Sequence, residues 1–135
     1  MLYTITVIEG PICIAHQLQL PYESKCNSLH GHNYQVEVVV RSSSLNPNGM
    51  VVDFTHIKAV IKKYDHGILG ACPNSVRLPD AGKIHPEVEP STAENFARVL
   101  FEELASVVDT LNNQAWLASV SVWETPSSKV TVTGE

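Results

Sequence analysis

The chain has 135 residues, 44% of them hydrophobic, which suits one domain with one core and leaves too little for two. Its net charge of −5 argues against general nucleic-acid binding, and no apolar run reaches the ~18 to 20 residues that cross a bilayer. Three cysteines without paired spacing argue against a disulfide framework, and Met1 to Thr4 lacks a basic stretch leading into an apolar one, so the cytoplasm is the expected location.

Leu2 to Ile8 alternates Tyr3, Ile5 and Val7 against Thr4 and Thr6, the two-residue period of a half-buried strand. Glu9-Gly10-Pro11 interrupts it, and Ile12 to Leu18 continues as strand or bulged strand in a hairpin-like start. Leu20 to Asn27, with Pro21, reads as loop. In the next strand Tyr34, Val36, Val38 and Val40 share one face, and Ser42 to Gly49 then has turn chemistry. Asp53 is an N-cap for a helix with Phe54, Ile57, Val60, Ile61 and Tyr64 on one side.

Cys72 to Pro90 shows no periodicity and reads as a long loop. Its only cations, Arg77 and Lys83, are either phosphate contacts or incidental charges. Ser91-x-x-Glu94 is a capping box, followed by Phe96, Val99, Leu100, Leu104, Val107, Val108 and Leu111 at helical spacing. Trp116 to Glu124 alternates again, with Ala118, Val120, Val122 and Glu124 on one face, and Lys129 to Thr133 is the last strand. The order β-β-α-α-β-β over 1–135 predicts a single α+β domain: an antiparallel four-stranded sheet with two helices on one face.

Chemistry concentrates between Lys25 and Asn33. His30 and His32 are two apart, so on a strand both imidazoles leave the same face and can converge on one metal ion. Catalytic zinc takes three protein ligands and keeps a fourth position open. The third ligand must come from His16, His56, His66 or His85, and His16 is preferred because it ends a run that can pair beside the His32 strand. Cys26, close upstream, is a candidate thiolate base. Asp65-His66 follows the first helix, and adjacency alone says little about whether the carboxylate orients the ring. Glu124 closes an otherwise apolar strand face, where a carboxylate is costly unless something pairs with it.

Ala15-His16, Cys26-x-x-x-His30-Gly31-His32-Asn33-Tyr34, Asp65-His66, Pro90-Ser91-Thr92-Ala93-Glu94-Asn95 and Trp123-Glu124-Thr125 resemble, in matching order, the 6-pyruvoyl-tetrahydropterin synthase superfamily. The three-residue spacer after Cys26 is most similar to its 6-carboxytetrahydropterin synthase branch. The resemblance implies the tunnelling fold, a homohexamer with sites at subunit interfaces, and zinc on His16, His30 and His32. It also implies Cys26, Asp65 and His66 as the proton-transfer group, Glu124 and Thr92 at the pterin ring, and a pterin triphosphate as substrate. Ile12-Cys13-Ile14, Tyr64 and Leu69-Gly70 depart from the family's usual residues. A 6-pyruvoyl-tetrahydropterin synthase of the same family, a zinc-stabilised module with Cys26 as fourth ligand, and a pterin-binding oligomer without turnover are the competing expectations.

Overall fold

The alternating start of the chain forms strand β1, Tyr3–His16, in the computed structural model, which describes residues 1–71 and 83–134. The strand does not turn back at Glu9-Gly10-Pro11. Instead its antiparallel register with β2, His30–Ser42, slips there by one residue: Glu9 lies opposite Val36 and Ile12 opposite Tyr34. This is a bulge, and its effect is on parity. Val7 and Ile12 are separated by an odd number of positions yet both point into the core, which an unbroken two-residue period would forbid. Gly10 fits the close approach, since a Cβ there would stand 3.1 Å from the Tyr34 carbonyl oxygen.

On the other edge of β2 lies β5, Ala115–Thr125, which pairs outward with β6, Ser128–Thr133. A second register shift puts Val39 opposite Ser119 and Val40 opposite Leu117. Leu117 therefore joins Val120 and Val122 in the core, and the regular alternation expected through Ala118 breaks. Helix α1, Phe54–Lys62, starts as expected from Asp53, whose carboxylate accepts from Thr55 N at 2.9 Å and Thr55 Oγ1 at 2.8 Å. Ile57 and Ile61 from α1 meet Phe96, Leu100 and Leu104 from α2, Ala93–Leu111, in one cluster with Val36, Val38 and Val40. Both helices thus bury their apolar stripes against the inward residues of the central strands.

The capping box expected at Ser91 is displaced by one residue. Thr92 is the N-cap, its side chain accepting from Asn95 N at 3.2 Å, and Ser91 is buried beside β1. The sheet also differs from expectation. It is mixed and six-stranded among the described residues, in the order β4-β3-β1-β2-β5-β6. The four anticipated strands are β1, β2, β5 and β6; β3, Gly67–Leu69, and β4, Ile84–His85, are added in parallel along the free edge of β1. Strands of three and two residues are too short to show a period in the sequence, and both lie where a helix end and a loop were expected. A Cβ at Gly67 would stand 2.7 Å from the Lys83 carbonyl oxygen, so glycine permits the β3–β4 approach. Cys72 and Arg77 lie outside the described residues. Among those described, no helix is long and apolar enough to cross a membrane.

Candidate metal centre and active site

Antiparallel register sets His16, the last residue of β1, opposite His30, the first of β2, with His32 opposite Ile14. Because of the bulge at Gly10-Pro11, His16 shares the core face of Ile12 and Ile14, the face onto which His30 and His32 also project. Ring centroids lie 4.4 Å apart for His16 and His30, 5.1 Å for His16 and His32, and 4.9 Å for His30 and His32. One nitrogen from each ring falls within 4.8 Å of the others. A tetrahedral zinc with bonds of about 2.0–2.1 Å holds its nitrogens about 3.4 Å apart, so small ring rotations would close the set.

The surroundings suit a cation. His16 Nδ1 donates to the Ser91 carbonyl at 2.6 Å and His30 Nδ1 to the Ser28 carbonyl at 2.7 Å, which leaves each Nε2 as the free lone pair. His16 Nε2 is buried without a hydrogen-bond partner, an orphan that a metal ion would satisfy. Burial lowers the His16 pKa, opposed by the Ser91 carbonyl, and burial likewise lowers that of His32 against the pull of Glu124. Both rings are therefore neutral near pH 7, as ligation requires. Beneath them Tyr34 is wholly buried, its ring centroid 5.6 Å from that of His32, and burial keeps its hydroxyl protonated.

Glu124, near the end of β5, reaches the same place from the neighbouring strand. Its Oε1 stands 3.2 Å from His32 Nε2, within ion-pair reach although off the line of a well-formed hydrogen bond. It also lines a recess of about 220 Å³ with Ala93, Glu94 and Lys129. Thr92, expected near a bound ring, has its oxygen engaged as the cap of α2. Cys26 sits half-buried in a 3-10 turn, Lys25–Asn27, and its carbonyl accepts from Leu18 N at 2.9 Å, tying the turn to the segment after His16. The cluster of mutually close ligand atoms among the described residues holds three imidazoles and no thiol.

Asp65 and His66 are brought together elsewhere. A left-handed backbone at His66, φ 62°, turns its Nδ1 to 3.1 Å from Asp65 Oδ2. The pair docks on the outer edge of β1, where Asp65 Oδ1 accepts from Cys13 N at 2.8 Å and His66 N donates to the Cys13 carbonyl at 2.6 Å. The Cys13 amide in turn holds the Asp65 pKa down. His66 is exposed and lines a recess of about 370 Å³ with Cys13, Ala15, Gly31 and Asn33, residues that alternate with the metal-facing ones, and with Ile14 and His32 from the metal-facing set. No hydrogen bond joins Cys26 to this pair among the described residues. Lys83 Nζ donates to the Asp65 carbonyl at 3.3 Å, and His85 packs on Tyr64 rather than on the cluster. The carbonyls of Ser91 and Ser28 are the site groups that sequence reasoning missed.

Residues 5–135 match the family model for 6-pyruvoyl tetrahydropterin synthase. The chain belongs to that family. A 6-carboxy-5,6,7,8-tetrahydropterin synthase from Aquifex aeolicus is 33% identical over 120 residues, 78% of this chain and 74% of the relative. The 6-carboxy-5,6,7,8-tetrahydropterin synthase of Haemophilus influenzae is 30% identical over 131 residues, 85% of this chain and 88% of its own length. Among solved structures, the 6-pyruvoyl tetrahydropterin synthase of Caenorhabditis elegans superposes with a TM-score of 0.65 at 25% identity, covering 100% of this chain and 97% of the other. The likeness noted in the sequence to the 6-carboxytetrahydropterin branch of the family thus agrees with these curated relatives.

Proposed function

We propose that this protein is a zinc-dependent 6-carboxy-5,6,7,8-tetrahydropterin synthase of a deazapurine (queuosine) pathway in the cytoplasm. It would convert 7,8-dihydroneopterin triphosphate to the 6-carboxy product with release of triphosphate and acetaldehyde. The observation that supports this reading most is the meeting of three imidazoles from two strands beside one carboxylate, in a family whose relatives carry that name.

In this reading His16, His30 and His32 hold zinc, and the Ser91 and Ser28 carbonyls fix which nitrogen two of them offer. Bound there, zinc supplies Lewis acidity that makes the C–H and O–H groups of a nearby substrate side chain easier to deprotonate. Glu124 accepts the amino and ring N–H bonds of the pterin edge and orients it, with the Thr92 segment alongside. Cys26 takes the proton as thiolate, and His66, steadied by Asp65, passes protons on. The Asp65-His66 pair stands on the outer edge of β1, away from the imidazole cluster, which supports a working site completed across subunits in a homo-oligomer, a hexamer by family resemblance.

A second reading keeps the family and changes the product: 6-pyruvoyl tetrahydropterin, the name carried by the solved C. elegans relative. A closed zinc module with Cys26 as fourth ligand is less well supported, because the ligand cluster lacks the thiol. Incubating the zinc-loaded protein with 7,8-dihydroneopterin triphosphate, then assaying acetaldehyde and the pterin product, tests the proposal. Equimolar acetaldehyde and 6-carboxytetrahydropterin are expected. A pyruvoyl product, or none, would refute it.

A further inference from the structure

The three imidazoles are not held alike. His16 and His30 each have Nδ1 on a backbone carbonyl, but His32 has no such carbonyl among the described residues, and its Nε2 stands 3.2 Å from Glu124 Oε1. At that distance a lone pair on Nε2 repels an ionised carboxylate and a hydrogen there attracts it, even off the line of a well-formed hydrogen bond, so beside ionised Glu124 the contact favours a hydrogen on Nε2. A metal needs the lone pair of the same buried nitrogen. The metal and Glu124 therefore compete for one atom.

We propose that Glu124 couples the metal to the ring: it stands against His32 Nε2–H in the metal-free chain, and metal loading releases the carboxylate to the flat N–H edge of a pterin-type ring. The inference rests on the reading of Glu124 as ring anchor. The His32 hydrogen passes from Nε2 to Nδ1 through solvent, which brings the ring to the tautomer that the carbonyls already impose on His16 and His30. Glu124 has somewhere to go, because its side chain is 30% exposed and borders the 220 Å³ recess shared with Ala93, Lys129 and the like-charged Glu94.

Linkage makes the effect reciprocal: if metal tightens ring binding by some factor, the ring tightens metal binding by the same factor. The probe is 6-methylpterin, which has the ring but no side-chain oxygen with which to reach a metal. Its dissociation constant is measured by fluorescence titration on metal-free and zinc-loaded protein, and zinc affinity by chelator competition with and without it. Zinc is expected to tighten 6-methylpterin binding by roughly five- to a hundredfold, with an equal reciprocal factor. In Glu124→Gln, shown folded by circular dichroism, the factor should fall to one.

Equal affinity in both forms of the unaltered protein would overturn the coupling while leaving Glu124 as anchor. Weaker binding in the zinc form would overturn it by making Glu124 a metal ligand. Coupling that survives in Glu124→Gln would assign it to another group. Binding in neither form would remove the ring anchor and the coupling together.

Discussion

Ser91 serves the site with its carbonyl oxygen, an atom found in every residue, and so leaves no trace in the sequence. The pattern His30-Gly31-His32 was readable because ligation needs imidazoles, and strand geometry places such a pair on one face. The groups that aim the rings were not, since any residue at 28 or 91 supplies a carbonyl. His16→Ala should lower zinc affinity by about a hundredfold or more, measured by chelator competition; unchanged affinity would place the metal elsewhere. Acid should also weaken the metal-free fold. Burial lowers the pKa values of His16, His32 and His85, so below the ordinary value of about 6.5 the unfolded chain binds more protons than the folded one. Stability is then full above about pH 6.5 and falls as pH drops through the lowered values, which urea unfolding of metal-free protein at pH 7.5 and 5.5 would show. Equal stability at the two values would contradict the burial argument.

Secondary structure followed the sequence wherever a side-chain period was long enough to repeat. Tyr34 to Val40 and α2 came through with their inward faces as read, and α1 did so at Ile57 and Ile61, with Tyr64 just beyond its end, whereas Phe54 in its first turn is exposed. Failures fell where one residue shifts the period, at Pro11 and Ala118, or where an element has only two or three residues, as in β3 and β4. The cap of α2 was missed because Ser91 and Thr92 are equally good candidates chemically, and packing of Ser91 against the Gln17 carbonyl decided between them. Thr92→Ala should then cost about 1 kcal/mol in urea unfolding while Thr92→Ser retains most of the stability; the reverse order would return the cap to Ser91. Gly67→Ala should cost about 1–3 kcal/mol, because its new methyl group meets the Lys83 and Tyr64 carbonyls as well as the buried His85 ring. A neutral result would mean that β3 and β4 part easily.

For the whole molecule, a net charge of −5 sets a constraint on any triphosphate substrate, since cations must be gathered locally against the general field. Lys83, held at the Asp65 carbonyl, is one such cation beside the exposed His66. Among the described residues the sheet ends at β4 and β6, and an unpaired edge is commonly covered by another chain. If a working site draws its imidazole cluster from one subunit and its Asp65-His66 pair from another, His16→Ala and His66→Ala are each inactive alone. Mixed, dissociated and reassembled, they should recover up to about a quarter of full turnover, by the statistics of random association of two such subunits. No recovery from mixed oligomers verified by native mass spectrometry would place all the groups of one site in a single chain.

The surplus residue at Gly10-Pro11 makes the first strand a matter of counting more than of spelling. Between Tyr3 and His16 the identity of many outward residues is free to drift, but a one-residue shortening would turn His16 toward the opposite side and deprive the cluster of a ligand without altering any histidine. In a distant relative that kept all three imidazoles, a single gap in this stretch would be the warning that metal binding had been lost.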